Sequence, residues 1–333
     1  MLRCSIAIAT IAFFTNTASA WNSIGHMTIS KLAYDRLDAK SQLALFKLLK
    51  SHPHYKDYLA AGRPDVSEAE WVVMRSSVWP DWIRPRKKDK RDVSRFHRSE
   101  EHYRNIAFVD PKDEKAFEGK QLIDPDIPNI VDALKIRGNV LKMKSASAED
   151  RAIAACWLFH LIGDIHQPLH NATYFSSDPN FRTGDLGGNT FAIKASGKVW
   201  RLHTFWDDLL GVDRDYGDDS ADHQAALYRE ALKVAGGLRG LKLNDADQAD
   251  FNKNATYDSW SREGFEWAKK VSYRKGDGSG LLPAVYYKFN GSAPEAVEEV
   301  GEQYIRNARA LAERRAVMAG MRLADRVQKL LAQ

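Results

Sequence analysis

The chain has 333 residues and a net charge of +5, enough length to bury one substantial core without splitting into independent domains. Only two cysteines occur, Cys4 and Cys156, and no apolar run reaches the roughly 20 residues of a bilayer span. No membrane-spanning helix is therefore expected, and the mild basic excess suits a polyanionic substrate without by itself pointing to nucleic acid.

Residues 1–20 carry Arg3, an apolar run from Ile6 to Phe14 and then Ala18-Ser19-Ala20, the layout of a secretory signal peptide. Cleavage after Ala20 removes Arg3 and Cys4, lowers the charge to +4 and leaves one domain over 21–333 that begins at Trp21. The mature product is expected to be exported, to the periplasm or the medium, with no stable membrane association. The new α-amine has a reference pKa of about 7.7–8.0 and can chelate a metal together with its own carbonyl oxygen. His26 follows five residues on. Once Cys4 is gone no intramolecular disulfide is possible, and Cys156 in AIAACWLFHLIG reads as a buried inert thiol. Bound metal is one other way to staple an exported chain.

Apolar spacing of three and four predicts helices at 24–36 and 38–50, as in Leu43, Leu45, Phe46, Leu48 and Leu49. The charged stretch 84–99 reads as a solvated loop or helix edge. Pro111, Pro125 and Pro128 make 110–129 loop-like. Further helices are predicted at 129–144, 148–167 with Ser147 as N-cap, 219–238 and near 257–272. Two long C-terminal helices follow at about 293–315 and 317–331, after a flexible connection at 273–281. The one clear β signal is a hairpin, with Thr190–Ala195 and Lys198–Leu202 alternating around Ser196-Gly197. The fold expected is mainly α, a single-domain helical bundle with a small hairpin near 190–202. Asn171, Asn254 and Asn290 head glycosylation sequons, which arise often by chance.

The chemistry concentrates in His160-Leu-Ile-Gly-Asp164-Ile-His166-Gln-Pro168-Leu-His170. His160 and Asp164 stand four apart, so both project from one helix face as a pair of potential metal ligands. Pro168 ends the helix and re-aims His170. His166 points elsewhere and reads as a residue supporting the ligands or the fold. A second pair at the same spacing, His203 and Asp207, follows the hairpin. The glycines of GDLGGN allow close backbone approach to a ligand, with Asn189 able to hydrogen-bond a base or phosphate. A lone histidine on an apolar face is more often a satisfied core residue, and one His–Asp pair is often only a helix salt bridge. Two such pairs, a histidine after a proline and a terminal Trp–His pair make that bland reading hard to sustain.

The motifs WNSIGH, WPDWIR, EHYRNI, HLIGDIHQPLH, GDLGGN, LHTFWDD and AGMRLADRVQKLL resemble the trinuclear-zinc nucleases of the S-one/P-one type, within the phospholipase C/nuclease superfamily, over essentially the whole mature chain. The resemblance implies three zinc ions per chain. Asp81, His102, His160 and Asp164 would hold one. The Trp21 amine and carbonyl, His26 and the bridging Asp164 would hold the second, and His170, His203 and Asp207 the third. It implies that Arg84 contacts the scissile phosphate, that Tyr103 stacks on the neighbouring base and that Asn189 contacts a base. Asn105 stands where such enzymes often carry an acidic base-reading residue. His97, in the basic loop, competes with His102 as ligand, and the context HYRNI favours His102.

With those ligands, zinc lowers the pKa of water to about 7. The expected activity is hydrolysis of single-stranded DNA and RNA at the P–O3′ bond by zinc-bound hydroxide, giving 5′-phosphates, with 3′-nucleotidase activity. Asp81, Arg84 and Asp164 would be the catalytic residues, and the enzyme is expected to work as a monomer on single-stranded nucleic acid and 3′-nucleotides. Two rivals stand beside this reading. One is a zinc phospholipase C, a related family that places its first histidine further from the N-terminus and ends its ligand set with glutamate. The other is a non-catalytic exported zinc-binding protein, which has no need of Arg84, Tyr103 or an open coordination position.

Overall fold

A computed structural model describes residues 21–85, 94–215, 218–288 and 291–332. The leader predicted over 1–20, most of the basic run within 84–99 and the sequon at Asn290 lie outside the described residues.

Helices dominate, and polar caps set where they begin. Helix α1 (Ser23–Tyr34) is capped by the Asn22 side chain, which accepts from Gly25 N, and α2 (Ala39–Leu49) by Asp38, which accepts from Ser41 N. A π-helical turn at Tyr55–Leu59 leads to α3 (Glu68–Ser76) and the short α4 (Trp79–Trp82), with Pro80 in its first turn. Strand β1 (Ala107–Val109) precedes the proline-rich stretch expected to be loop, and the short α5 (Glu114–Phe117) forms within it. Asn129 and Ser147 cap α6 (Ile130–Lys142) and α7 (Ala148–Asp164).

The second half begins with β2 (Thr173–Phe175), which pairs in parallel with β1, and with the hairpin of β3 (Ala192–Ala195) and β4 (Lys198–Arg201). Helices α8 (Leu202–Asp207), α9 (Ala221–Leu238), α10 (Asp245–Lys253) and α11 (Tyr257–Trp267) follow, and α12 (Gly301–Leu331) ends the chain. Helix α7 is the hub. From Ala154 to Asp164 every side chain is buried, which is the signature of a helix surrounded by others, here α1, α2, α3, α4, α6 and α12. Buried apolar side chains join in one cluster running from Trp21 to Leu330. Among the described residues no helix is long and apolar enough to cross a membrane.

The mainly helical architecture and the hairpin agree with the sequence reading, and Ser147 does cap α7 by accepting from Asp150 N at 3.0 Å. The C-terminus differs. In place of two helices at 293–315 and 317–331 there is one, starting at Gly301. The residues before it are held extended by the hairpin, with Val300 N donating to Lys194 O at 2.9 Å and Glu299 accepting from Gly197 N. No break falls near 316, and Gly320 inside the helix serves contact: a Cβ there would meet Leu32 Cβ at 2.8 Å, so its absence lets α12 press on α1. The 273–281 connection is bridged by Arg274 and Leu281, and the β1–β2 pairing was not anticipated. Three-residue strands carry no readable alternation.

Candidate metal centre

Six separate elements converge on one polar region. Helix α1 brings His26, α4 brings Asp81, and α7 brings His160 and Asp164 one turn apart. Short 3-10 turns at Ser99–His102 and Pro168–Asn171 bring His102 and His170, and α8 brings His203 and Asp207. All eight side chains are buried. Their ligand atoms gather in three sets able to hold a metal ion: His26, His160 and Asp164; Asp81, His102 and His160; and His170, His203 and Asp207. His97 belongs to none of these sets.

The first two sets meet at Asp164. Its Oδ1 lies 3.2 Å from His26 Nε2, while Oδ2 lies 3.1 Å from both His102 Nδ1 and His160 Nε2. One carboxylate thus offers an oxygen to each side. His160 donates its Nδ1 proton to Ser77 O at 2.7 Å, so its Nε2 turns a lone pair toward His102 Nδ1 at 2.9 Å and Asp81 Oδ1 at 3.7 Å. The His26 ring stacks on His160 at 4.0 Å, and Gly163 makes room, since a Cβ there would meet His26 Nδ1 at 2.9 Å.

In the third set His170 donates Nδ1–H to His102 O and His203 donates Nδ1–H to Gly187 O, at 2.7 and 2.6 Å. Their Nε2 atoms then face each other at 3.2 Å. Asp207 Oδ2 lies 3.6 Å from His203 Nε2, and its Oδ1 accepts from Gln167. The GDLGGN glycines approach the chain itself: Gly187 has φ +64°, and a Cβ there would meet Leu169 O at 2.7 Å. Asn189 Nδ2 donates to Leu186 O at 2.9 Å, closing the same turn.

The electrostatics match a cation site. Burial opposes ionisation of Asp164, but His160 and the bonds from His102 and His26 outweigh it and hold the carboxyl well below its usual range. Burial also opposes ionisation of Asp81, and Arg84 and the histidines overcome it. Burial pushes His26 and His170 down, and His102 down to about 3, so these rings are neutral, the form that binds metal. His160 is the exception, held up by Asp164 and Asp81 against its burial. Burial drives Asp207 well above its ordinary value. His26 Nδ1 and His102 Nε2 are buried and make no hydrogen bond. Buried polar atoms are rarely left so, and lone pairs converging on shared points fit a metal.

Of the other expected residues, Arg84 touches this centre. Arg84 Nη2 lies 2.8 Å from Asp81 Oδ1 and 3.3 Å from His102 Nδ1. Tyr103 is half-buried, its carbonyl accepting from Ile130 N at 3.1 Å, and Asn105 Oδ1 accepts from Thr173 Oγ1 at 2.7 Å. Trp21 is fully buried, its indole donating to Gly163 O at 3.1 Å, and Asn22 N donates to Asp207 O at 3.4 Å. Trp21 and Asn22 are thereby tied to the helix that carries Asp164 and to Asp207. Sequence reasoning did not find Gln167 or the Ser77, His102 and Gly187 carbonyls, since a main-chain acceptor has no residue signature. His166 is turned away from all three sets, toward α12.

Comparison with known proteins agrees with this geometry. The chain is 23% identical over 293 residues to "Endonuclease 3" of Arabidopsis thaliana, covering 85% of each chain. It is 26% identical over 271 residues to "Endonuclease 2" of the same plant, covering 76% of this chain and 77% of that one. With "Nuclease S1" of Aspergillus oryzae it shares 29% identity over 106 residues, 31% of this chain and 33% of that protein. The family model described as S1/P1 Nuclease matches residues 21–332, a span that contains every residue of the three sets. This chain belongs to the S1/P1 nuclease family, a zinc-dependent family, and is an endonuclease that hydrolyses nucleic acid.

Proposed function

We propose that the protein is a trinuclear-zinc phosphodiesterase that cleaves single-stranded DNA and RNA at the P–O3′ bond and also removes 3′-phosphates from nucleotides. The observation that carries this reading is Asp164, whose two oxygens face separate ligand sets. Asp81, His102, His160 and Asp164 would hold one zinc, Trp21, His26 and Asp164 a second, and His170, His203 and Asp207 a third. When bound, zinc supplies Lewis acidity and a nucleophile at neutral pH by lowering the pKa of water to about 7.

The chain's own groups do the rest. Arg84, aligned by Asp81 at 2.8 Å, donates to the non-bridging phosphate oxygens and balances their charge. Water adds to phosphorus, the P–O3′ bond breaks and the 3′ oxygen takes a proton, leaving a 5′-phosphate. Tyr103 stacks on the base beside the scissile bond, worth about 1–3 kcal/mol, which a duplex denies it. Asn105 and Asn189 read base edges. The enzyme acts as an exported monomer, in the periplasm or the medium, after loss of residues 1–20.

The test is zinc content by elemental analysis of protein beginning at Trp21, together with hydrolysis of single-stranded DNA, RNA, a 3′-nucleotide and phosphatidylcholine, with and without chelator. About three zinc ions and chelator-sensitive cleavage of the first three substrates are expected. Hydrolysis of phosphatidylcholine alone would move the assignment to a phospholipase, and zinc without hydrolysis to a metal carrier.

A further inference from the structure

Helix α12 carries two guanidinium groups far from the ligand sets in sequence, and both reach the turn that joins those sets. Arg315 is fully buried and donates Nε–H to His166 O at 3.0 Å. Arg322 Nη1 donates to His166 Nε2 at 2.9 Å, while His166 Nδ1 donates to Ile162 O at 2.7 Å in the last turn of α7. Glu263 of α11 pairs with both arginines, with Arg322 Nη2 at 2.9 Å from Oε2. His166 therefore has its carbonyl and both ring nitrogens fixed, each by a different partner.

This turn lies between the two halves of the centre. Asp164 ends α7 just before it, and Gln167 just after it donates Nε2–H to Asp207 Oδ1 at 2.9 Å. Asn171 closes the turn by donating to both Ile165 O and Gln167 O at 3.0 Å. Any slackening here moves Asp164 relative to His170 and Asp207. Two buried guanidiniums share one carboxylate, a costly arrangement that a well-packed apolar cluster would replace at equal or better stability. Its value lies in fixed geometry.

We propose that Arg315 and Arg322, acting through His166, are positioning residues that set the separation between the Asp164 half and the His170–His203–Asp207 half of the centre. The inference rests on the zinc reading above.

The test compares the parent enzyme with Arg322→Met, Arg322→Lys and His166→Gln, each stripped of metal and titrated with Co2+ while its visible bands are recorded. Values of kcat and KM on a single-stranded oligonucleotide and a melting temperature complete the set. In Arg322→Met, kcat should fall about 10–100-fold with KM within about twofold, one Co2+ should bind more weakly, and the bands should change shape. Arg322→Lys should recover part of each loss. A Met variant with parental Co2+ spectrum, affinity and kcat, altered only in melting temperature, would overturn the proposal. If Arg322→Met does not fold, His166→Gln carries the same expectation and the same refutation. The parent separates the two readings: if it binds no metal, the zinc reading fails and takes this inference with it, whereas a normal parent with parent-like variants removes this inference alone.

Discussion

His170 Nε2 and His203 Nε2 stand 3.2 Å apart, and each ring has already committed its Nδ1 proton to a main-chain carbonyl. In their neutral forms two lone pairs oppose each other, with the Asp207 carboxyl 3.6 Å from one of them. That arrangement is unfavourable without a cation.

Metal removal should therefore destabilise the fold. A ligand at 100 times its Kd adds about 2.7 kcal/mol per site, so chelation should lower the melting temperature by at least about 5 °C. Scanning fluorimetry with and without chelator, and after added zinc, checks this. An unchanged melting point would mean the three sets are satisfied without metal.

Asp164→Asn should cost two ions, because one carboxylate serves both sides of its half. Elemental analysis should show about two zinc lost, and turnover of single-stranded DNA should fall more than about 100-fold. Asp207→Asn should cost only one ion. Equal losses in the two variants would argue against the shared carboxylate.

Trp21 and Asn22 are held to Gly163 O and Asp207 O, and the proposed second zinc takes the Trp21 amine as a ligand. A protein carrying one extra residue before Trp21 has an amide where the amine should be. It should lose one zinc and about 10-fold or more in activity while keeping its fold by circular dichroism. Full activity in the extended form would remove the chain start from the ligand set.

Acid sensitivity should come in part from His52, outside the ligand sets. Burial, reinforced by His54, lowers its pKa to about 3, against 6.5 for the free group. Between pH 6.5 and 3 the unfolded chain takes up a proton that the folded one refuses. Stability should thus fall with decreasing pH across this window, by up to about 1.4 kcal/mol per pH unit from this group. His52→Phe should flatten the dependence of the urea midpoint on pH, measured in chelator. Parallel curves for the two proteins would show that His52 does not contribute.

Much of the centre was legible because its residues come in helical pairs. His160 with Asp164 and His203 with Asp207 repeat at four-residue spacing on helices that do form, and Ser147 marks where the first begins. His102 stands in a ligand set, and His97 does not. What could not be read falls in two classes. Orienting groups such as Ser77 O and Gly187 O are main-chain atoms, indifferent to residue type. The β1–β2 pairing and the extended run into α12 depend on partners distant in sequence, where local pattern has nothing to say.

The long last helix also joins residues distant in sequence into one framework around the ligand sets. Gly320 presses on Leu32 of the helix that carries His26, and Arg315 and Arg322 hold the turn after Asp164. Segments from opposite halves of the sequence thus share in holding the ligands' framework. A chain that ends before residue 301 lacks every one of these supports.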